Sequence, residues 1–153
     1  VSMMSRSMKN IAHILELEQD EAEYAEIERK TVENMDLLHW SEKAKAYCDV
    51  TLDEEGDEEM KLVCHEGYIS LLPFALKMMP ADSPKLKDVL KLMIDPERLF
   101  SEYGLRSLSK QDPFFGAGEN YWRGKVWLNI NYLCLDAIQH YFPEVIEGSQ
   151  QSS

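Results

Sequence analysis

The sequence predicts an all-α protein with one small hairpin or irregular insertion near residues 48–64, and three observations predict it. Apolar residues recur at i, i+3, i+4 in separate stretches near the start, middle and end of the chain, as they do along the buried face of a helix. Helix-favouring residues fill the long run "ELEQDEAEYAEIERKTVENMDLLHW". The short β-branched runs are "CDVTL" and "MKLVC", on either side of one acidic segment.

In chain order, Met4, Met8, Ile11, Ala12 and Leu15 share one face of a first amphipathic helix. A second helix follows, with Glu26 four residues before Lys30 for a favourable side-chain pair. Its acid-rich run, Glu16 to Glu28, lacks the glycine and alternating ligands of a calcium loop and reads as a solvated helix face. "AYCDVTLDEEGDEEMKLVCH" suits a small exposed hairpin or an irregular excursion around Gly56. "GYISLLPFALKMMP" then reads as a helix interrupted by proline, burying Leu71, Leu72, Phe74, Ala75 and Met78. Asp82 or Ser83 is expected to cap a further helix with Pro84 at its first position, and Asp95 with Pro96 repeats that start signal. The eight methionines sit mostly at helical spacing with leucine and read as flexible core filler. From Ser101 to Arg123, Gly104, Pro113, Gly116 and Gly118 break every period. Val126, Trp127, Ile130, Leu133, Cys134, Ala137, Ile138 and Tyr141 resume helical spacing, and Pro143 stops it ahead of a polar tail, residues 143–153.

Composition narrows the functions. A net charge of −12 with no basic stripe disfavours a phosphate backbone as partner, so no nucleic acid is expected. No apolar run approaches the roughly 20 residues of a spanning helix. "VSMMSRSMKN" has neither the apolar core nor the cleavage pattern of a leader, so membrane attachment is expected only through an anchor outside this chain. Cys48, Cys64 and Cys134 form no CxxC pair, which suggests neither a zinc site nor a redox motif; one disulfide can form, and the spacing does not choose it. With no metal-ligand cluster and no nucleotide loop, no cofactor is expected. There is no Gly-x-Ser-x-Gly elbow and no Cys/His pairing that points to a nucleophile.

Structureless loops of more than about 15 residues are uncommon in compact domains unless they serve a function. The one at 101–123 carries Arg106, Ser107, Ser109, Lys110, Asp112, Glu119, Asn120 and Arg123 among Tyr103, Phe114, Phe115, Tyr121 and Trp122, with Trp127 just beyond. Aromatic faces stack on sugar C–H groups, and planar amides, carboxylates and guanidinium groups read hydroxyls in pairs. This is the chemistry of a carbohydrate site, with Tyr121, Trp122, Arg123, Trp127, Glu119 and Arg106 as substrate-binding candidates. Against it stands simple packing, with Phe114, Phe115 and Trp127 plugging a core and Glu119 neutralising Arg123. Arg123 favours a charged Glu119, which suits Glu119 to binding hydroxyls or orienting the arginine. His65 and Glu66, at a helix entrance, are weaker candidates, since a lone histidine more often caps or packs.

"YGLRSLSKQDPFFGAGENYWRGKVWLNINYLCLDAIQHYF" resembles the C-terminal catalytic region of glycoside hydrolase family 63, in particular its eukaryotic processing α-glucosidases. The resemblance joins "YGLRSLS", a proline-aromatic turn, "GENYWRG" and "WLNINYL" in one order, and extends from about Leu37 to Phe142 through "LLHW" and "HEGYISLLPFALKMMP". It implies part of an (α/α)6 toroid over residues 1–142, and a partner in the remainder of that barrel. It also implies an enzyme that removes the terminal α-1,2-linked glucose of the N-glycan precursor with inversion, on the lumenal side of the endoplasmic reticulum membrane. In the family the acid is an aspartate on an upstream loop and the base a glutamate further downstream. Neither surrounding motif is found here, so no catalytic residue is assigned and the chain reads as a fragment or truncated product, inactive alone. The alternative is a noncatalytic helical sugar-binding or protein-interaction module.

Overall fold

A computed structural model describes residues 1–52 and 60–144. Among these the chain forms five α-helices and falls into two compact units, Val1–Trp40 and a second that begins at Ser41. The polar tail beyond residue 144 lies outside the described residues, as does Gly56.

The first unit is a helical hairpin of α1 (Ser2–Ile14) and α2 (Glu18–His39). Glu28 on α2 takes Arg6 Nε at 2.6 Å and Lys9 Nζ at 2.7 Å from α1, and His13 meets Glu21 at 3.2 Å. The acid-rich run is therefore only in part a solvated face, because Glu28 is drawn inward by two cations. Glu26 pairs with Lys30 at 3.3 Å and Arg29 with both Glu26 and Glu33, at helical spacings that align neighbouring side chains. On α1 the expected apolar face is corrected. Ser2, Ser5 and Ala12 are buried, whereas Met4, Ile11 and Leu15 are exposed. Periodicity identifies an apolar stripe but not what covers it.

Helix α1 ends in a left-handed residue that is not glycine. Glu16 has φ 57°, and the amides of Glu16 and Leu17 return to the carbonyls of His13 and Ala12. That bonding satisfies carbonyls the last turn leaves free. Lys77, with φ 54°, closes α3 in the same way, through the carbonyls of Phe74 and Pro73.

A two-residue strand β1 (Trp40–Ser41) ends the first unit and opens the second, where β2 (Ala46–Tyr47) and then the expected hairpin follow. β3 (Asp49–Leu52) pairs antiparallel with β4 (Met60–Val63) in the register Asp49↔Val63, and a Cys48–Cys64 disulfide closes its open end. Register brings these two cysteines together, a pairing that spacing alone left open.

The core sits under α3 (Tyr68–Ala75), α4 (Lys85–Ile94) and α5 (Leu128–Tyr141). Leu71, Phe74, Val89, Leu92, Leu99 and Cys134 are fully buried, each large apolar side chain stabilising by about 1.5–3 kcal/mol. Phe74 stacks on Tyr141 at 5.3 Å, and the Tyr141 hydroxyl accepts from the Met79 amide and donates to the Met79 carbonyl. Met79 and Met93 are buried, but Met3, Met4 and Met60 are exposed, so core filling accounts for only some methionines.

Two start signals mislead. No side chain caps α4, and Pro84 stands at the cap position itself. Asp95–Pro96 opens a turn, not a helix. The Asp95 carboxylate accepts the Glu97 amide at 2.9 Å, its carbonyl accepts those of Arg98 and Phe100, and the chain enters a tight hairpin of β5 (Phe100–Ser101) and β6 (Gly104–Leu105). Aspartate before proline serves turns as readily as helix caps, and only the residues downstream of the pair decide between them.

Candidate functional site

The long irregular segment is ordered by a few buried polar anchors. Tyr68, in the first turn of α3, donates its hydroxyl proton to the Leu105 carbonyl at 2.6 Å. The same oxygen accepts the Trp127 amide at 2.8 Å and Asn131 Nδ2 at 3.1 Å. Asn131 in turn accepts the Leu105 amide at 2.7 Å and donates to the Trp127 carbonyl at 2.9 Å. Together these bonds lock β6 and the start of α5 onto α3. Gly104, at φ 126°, is needed for this approach, because a Cβ there would lie 2.7 Å from Asn131 Oδ1.

A second set of anchors holds the near end of the loop. Glu66 accepts a two-pronged pair from Arg98, Nε to Oε2 at 2.7 Å and Nη2 to Oε1. The Glu66 carbonyl accepts the Ser109 amide at 2.7 Å, and Gly67 bridges to Leu108. The Asp112 side chain, only 4% exposed, meets His65 Nδ1 at 2.7 Å through Oδ2, while its Oδ1 accepts the Phe114 amide at 2.8 Å.

On this frame the aromatic residues gather. Trp122, in a short 3-10 turn (Asn120–Trp122), stacks on Trp127 with ring centroids 4.0 Å apart and planes 11° from parallel. Tyr121 meets Trp127 edge-on at 4.5 Å, and Trp127 Nε1 donates to the Tyr121 carbonyl at 3.2 Å. Tyr121 and Trp122 nonetheless remain about 60% exposed (60% and 61%), so they form a standing surface and not a core plug. Glu119, Asn120, Tyr121, Trp122 and Lys125 line a shallow cleft of about 410 Å³. His65, Leu108, Asp112, Phe114, Trp122 and Arg123 line a smaller one of about 210 Å³. Trp122 belongs to both.

The structure thus brings Tyr121, Trp122, Arg123, Trp127 and Glu119 into one neighbourhood. Arg106 lies apart, in a cleft with Tyr103 and Lys125, and its Nη1 donates to the Pro96 and Phe100 carbonyls, which hold the β5–β6 hairpin. The packing alternative, in which Glu119 neutralises Arg123, does not match the geometry. Among the described residues they make no ion pair; Arg123 Nη1 donates to the Ala117 carbonyl at 2.9 Å and the guanidinium lies 5.6 Å from the Phe114 ring centre. Gly118, at φ 58°, lies beside the guanidinium, where a Cβ would come within 3.1 Å of Arg123 Nη1. Sequence reasoning passed over Tyr68 and Asn131. Their available signal was a hydrogen-bonding residue within otherwise apolar helical faces, Tyr68 three before Leu71 and Asn131 four after Trp127.

Residues 1–153 match the model of the glycosyl hydrolase family 63 C-terminal domain. The chain is 63% identical over 146 residues to a mannosyl-oligosaccharide glucosidase of Saccharomyces cerevisiae, covering 95% of this chain and 18% of that protein. It is 43% identical over 142 residues to a probable mannosyl-oligosaccharide glucosidase of Schizosaccharomyces pombe, covering 92% of this chain and 17% of that one. The chain therefore spans less than a fifth of the length of these relatives. Among solved structures, a family 63 mannosylglycerate hydrolase from Thermus thermophilus in complex with glucose superposes with TM-score 0.71 at 21% identity, over 92% of this chain and 31% of the other. That likeness is one of fold.

Proposed function

The chain belongs to glycosyl hydrolase family 63, and from that membership we propose that it supplies one wall of the sugar pocket of a mannosyl-oligosaccharide glucosidase built as an (α/α)6 toroid. The observation that carries the reading is the exposed Tyr121–Trp122–Trp127 cluster, a rigid aromatic surface flanked by Glu119 and Arg123, in a chain so close in sequence to such an enzyme. Residues 1–142 are this part of the barrel and 143–153 a polar tail.

The reaction is removal of the terminal α-1,2-linked glucose of the N-glycan precursor with inversion. Inversion needs two carboxyl groups about 6.5–9.5 Å apart, one protonating the leaving oxygen and one activating water across the ring. Asp112 is committed to His65 and Phe114, and Glu119, at the cleft edge, makes no ion pair among the described residues, so neither forms such a pair here. Those carboxyl groups come from the remainder of the barrel. This wall stacks the sugar on Trp122 and Tyr121, and offers hydroxyls the Arg123 guanidinium and the Glu119 carboxylate; Arg106 acts by holding the adjoining hairpin. The Cys48–Cys64 disulfide supports an oxidising compartment such as the lumen of the endoplasmic reticulum.

The test is a chimera in which this chain replaces the matching segment of the Saccharomyces cerevisiae relative. The chimera should release glucose from a glucosylated oligosaccharide, while this chain alone should not. A folded chimera without activity, or turnover by the chain alone, overturns the reading; an inactive chimera beside a chain that still binds sugar points to the noncatalytic module.

A further inference from the structure

We infer that His65 is a sugar-hydroxyl contact of the smaller cleft, held in position by Asp112, an inference that rests on the sugar-pocket reading above. Asp112 is a carboxylate with a side chain only 4% exposed, and its two oxygens are divided between two tasks. Oδ1 accepts the Phe114 amide at 2.8 Å and so shapes the turn that carries Phe114; Oδ2 lies 2.7 Å from His65 Nδ1. An ionised carboxylate only accepts, so a neutral imidazole facing it carries its proton on Nδ1 and keeps its lone pair on Nε2. No described residue partners Nε2 in the structure, although the imidazole packs against Phe114 with centroids 5.4 Å apart.

The surroundings say what Nε2 is for. His65 lines the 210 Å³ cleft together with Trp122 and Arg123, two residues of the aromatic wall, and with Phe114 and Leu108. A sugar face stacked on Trp122 turns its hydroxyls toward the rim. There Arg123 donates to a hydroxyl oxygen and the Nε2 lone pair accepts a hydroxyl proton, which together match the donor and acceptor character of one sugar hydroxyl. A histidine that only capped α3 would not need a buried carboxylate from 47 residues away to set its tautomer. The ring's ordinary helix-entrance role is taken by its own backbone, whose carbonyl accepts Ser70 Oγ at 3.5 Å.

The experiment uses the chain with 15N-labelled histidine and tryptophan, followed by long-range proton–nitrogen correlation while an α-1,2-linked glucose disaccharide is added, with sorbitol as control. In the free chain Nδ1 of His65 should read as the protonated nitrogen. The disaccharide should move the His65 Nε2 resonance and the Trp122 and Trp127 indole resonances, leaving His13, His39 and His140 still. His65→Gln, which keeps a polar atom near the Nε2 position, should hold Kd within about twofold, and His65→Phe should weaken it about three- to tenfold, the scale of one neutral hydrogen bond. If the indoles respond and Nε2 does not, the inference falls while the sugar pocket stands. If neither responds, both fall. The Nε2 titration needs no variant, so poor folding of His65→Phe does not decide the outcome.

Discussion

Replacing Tyr68 with phenylalanine removes one oxygen atom and asks whether the site's frame depends on it. The Leu105 carbonyl keeps Asn131 Nδ2 at 3.2 Å, and that nitrogen keeps the Trp127 carbonyl at 2.9 Å, so both survive the loss. The Trp127 amide has no such reserve, since among the described residues its bond to the Tyr68 hydroxyl is the one it makes at the entry to α5. An unsatisfied, partly buried donor costs about 1–3 kcal/mol, and the lost bond to Leu105 adds little because a second donor is in place. A destabilisation of about 2 kcal/mol follows, which for a chain of this length lowers Tm by about 4–8 °C. Urea unfolding read by tryptophan fluorescence measures it directly, and the Asn131→Ala double-mutant cycle should give a coupling above about 0.5 kcal/mol. Burial also raises the Tyr68 phenol above its ordinary value. Its contribution is complete below about pH 10 and falls as pH rises toward the raised folded value, because the unfolded phenol ionises first. Tyr68→Phe should remove that part of the alkaline loss. A cost under about 0.5 kcal/mol, or additivity with Asn131→Ala, would refute the anchoring argument.

Three further outcomes are expected. Burial pushes the Cys134 thiol up to about 12, so stability should decline between about pH 8.5, where the unfolded thiol ionises, and pH 12; Cys134→Ala should flatten that decline in thermal scans. Burial pushes the Glu28 carboxyl up, but hydrogen bonds from Lys9 and Arg6 outweigh it and leave it lowered. Its contribution is therefore present above the ordinary carboxylate value and lost as pH falls through the lowered one, and Glu28→Gln should cost about 1–2 kcal/mol near neutrality while reducing the acid loss of helicity seen by circular dichroism. Glu16→Gly, at φ 57°, relieves a left-handed residue and should raise stability by about 0.5–1 kcal/mol in denaturant titration; a loss would mean the Glu16 side chain contributes more than its backbone costs.

What the sequence disclosed divides along physical lines. Helices were legible wherever a long run carried one period, as in α2 and α5, and the hairpin was legible because short apolar and β-branched runs flanked an acidic sequence holding Gly56. Choices between partners were not. Cys48 finds Cys64 through strand register, Glu28 rather than its many acidic neighbours collects Arg6 and Lys9, and Arg123 prefers the Ala117 carbonyl and Phe114 to Glu119. The first two depend on where separate segments meet and the third on how one loop turns, and periodicity encodes neither.

The site shows the same division in its function. The aromatic residues proposed to touch a sugar were conspicuous because Tyr121, Trp122 and Trp127 lie close together among polar groups at the end of a glycine-broken segment. The groups that hold them in place, Tyr68, Asn131 and Asp112, were inconspicuous because a buried hydrogen bond leaves no periodic trace. Yet it is these anchors that fix the long loop between β6 and α5, on which Trp122 and Trp127 stack at 4.0 Å. A surface ordered in advance spends less of its binding energy on ordering itself. In the pocket proposed above, that prior order in this wall is what would let it meet the remaining walls around one sugar ring.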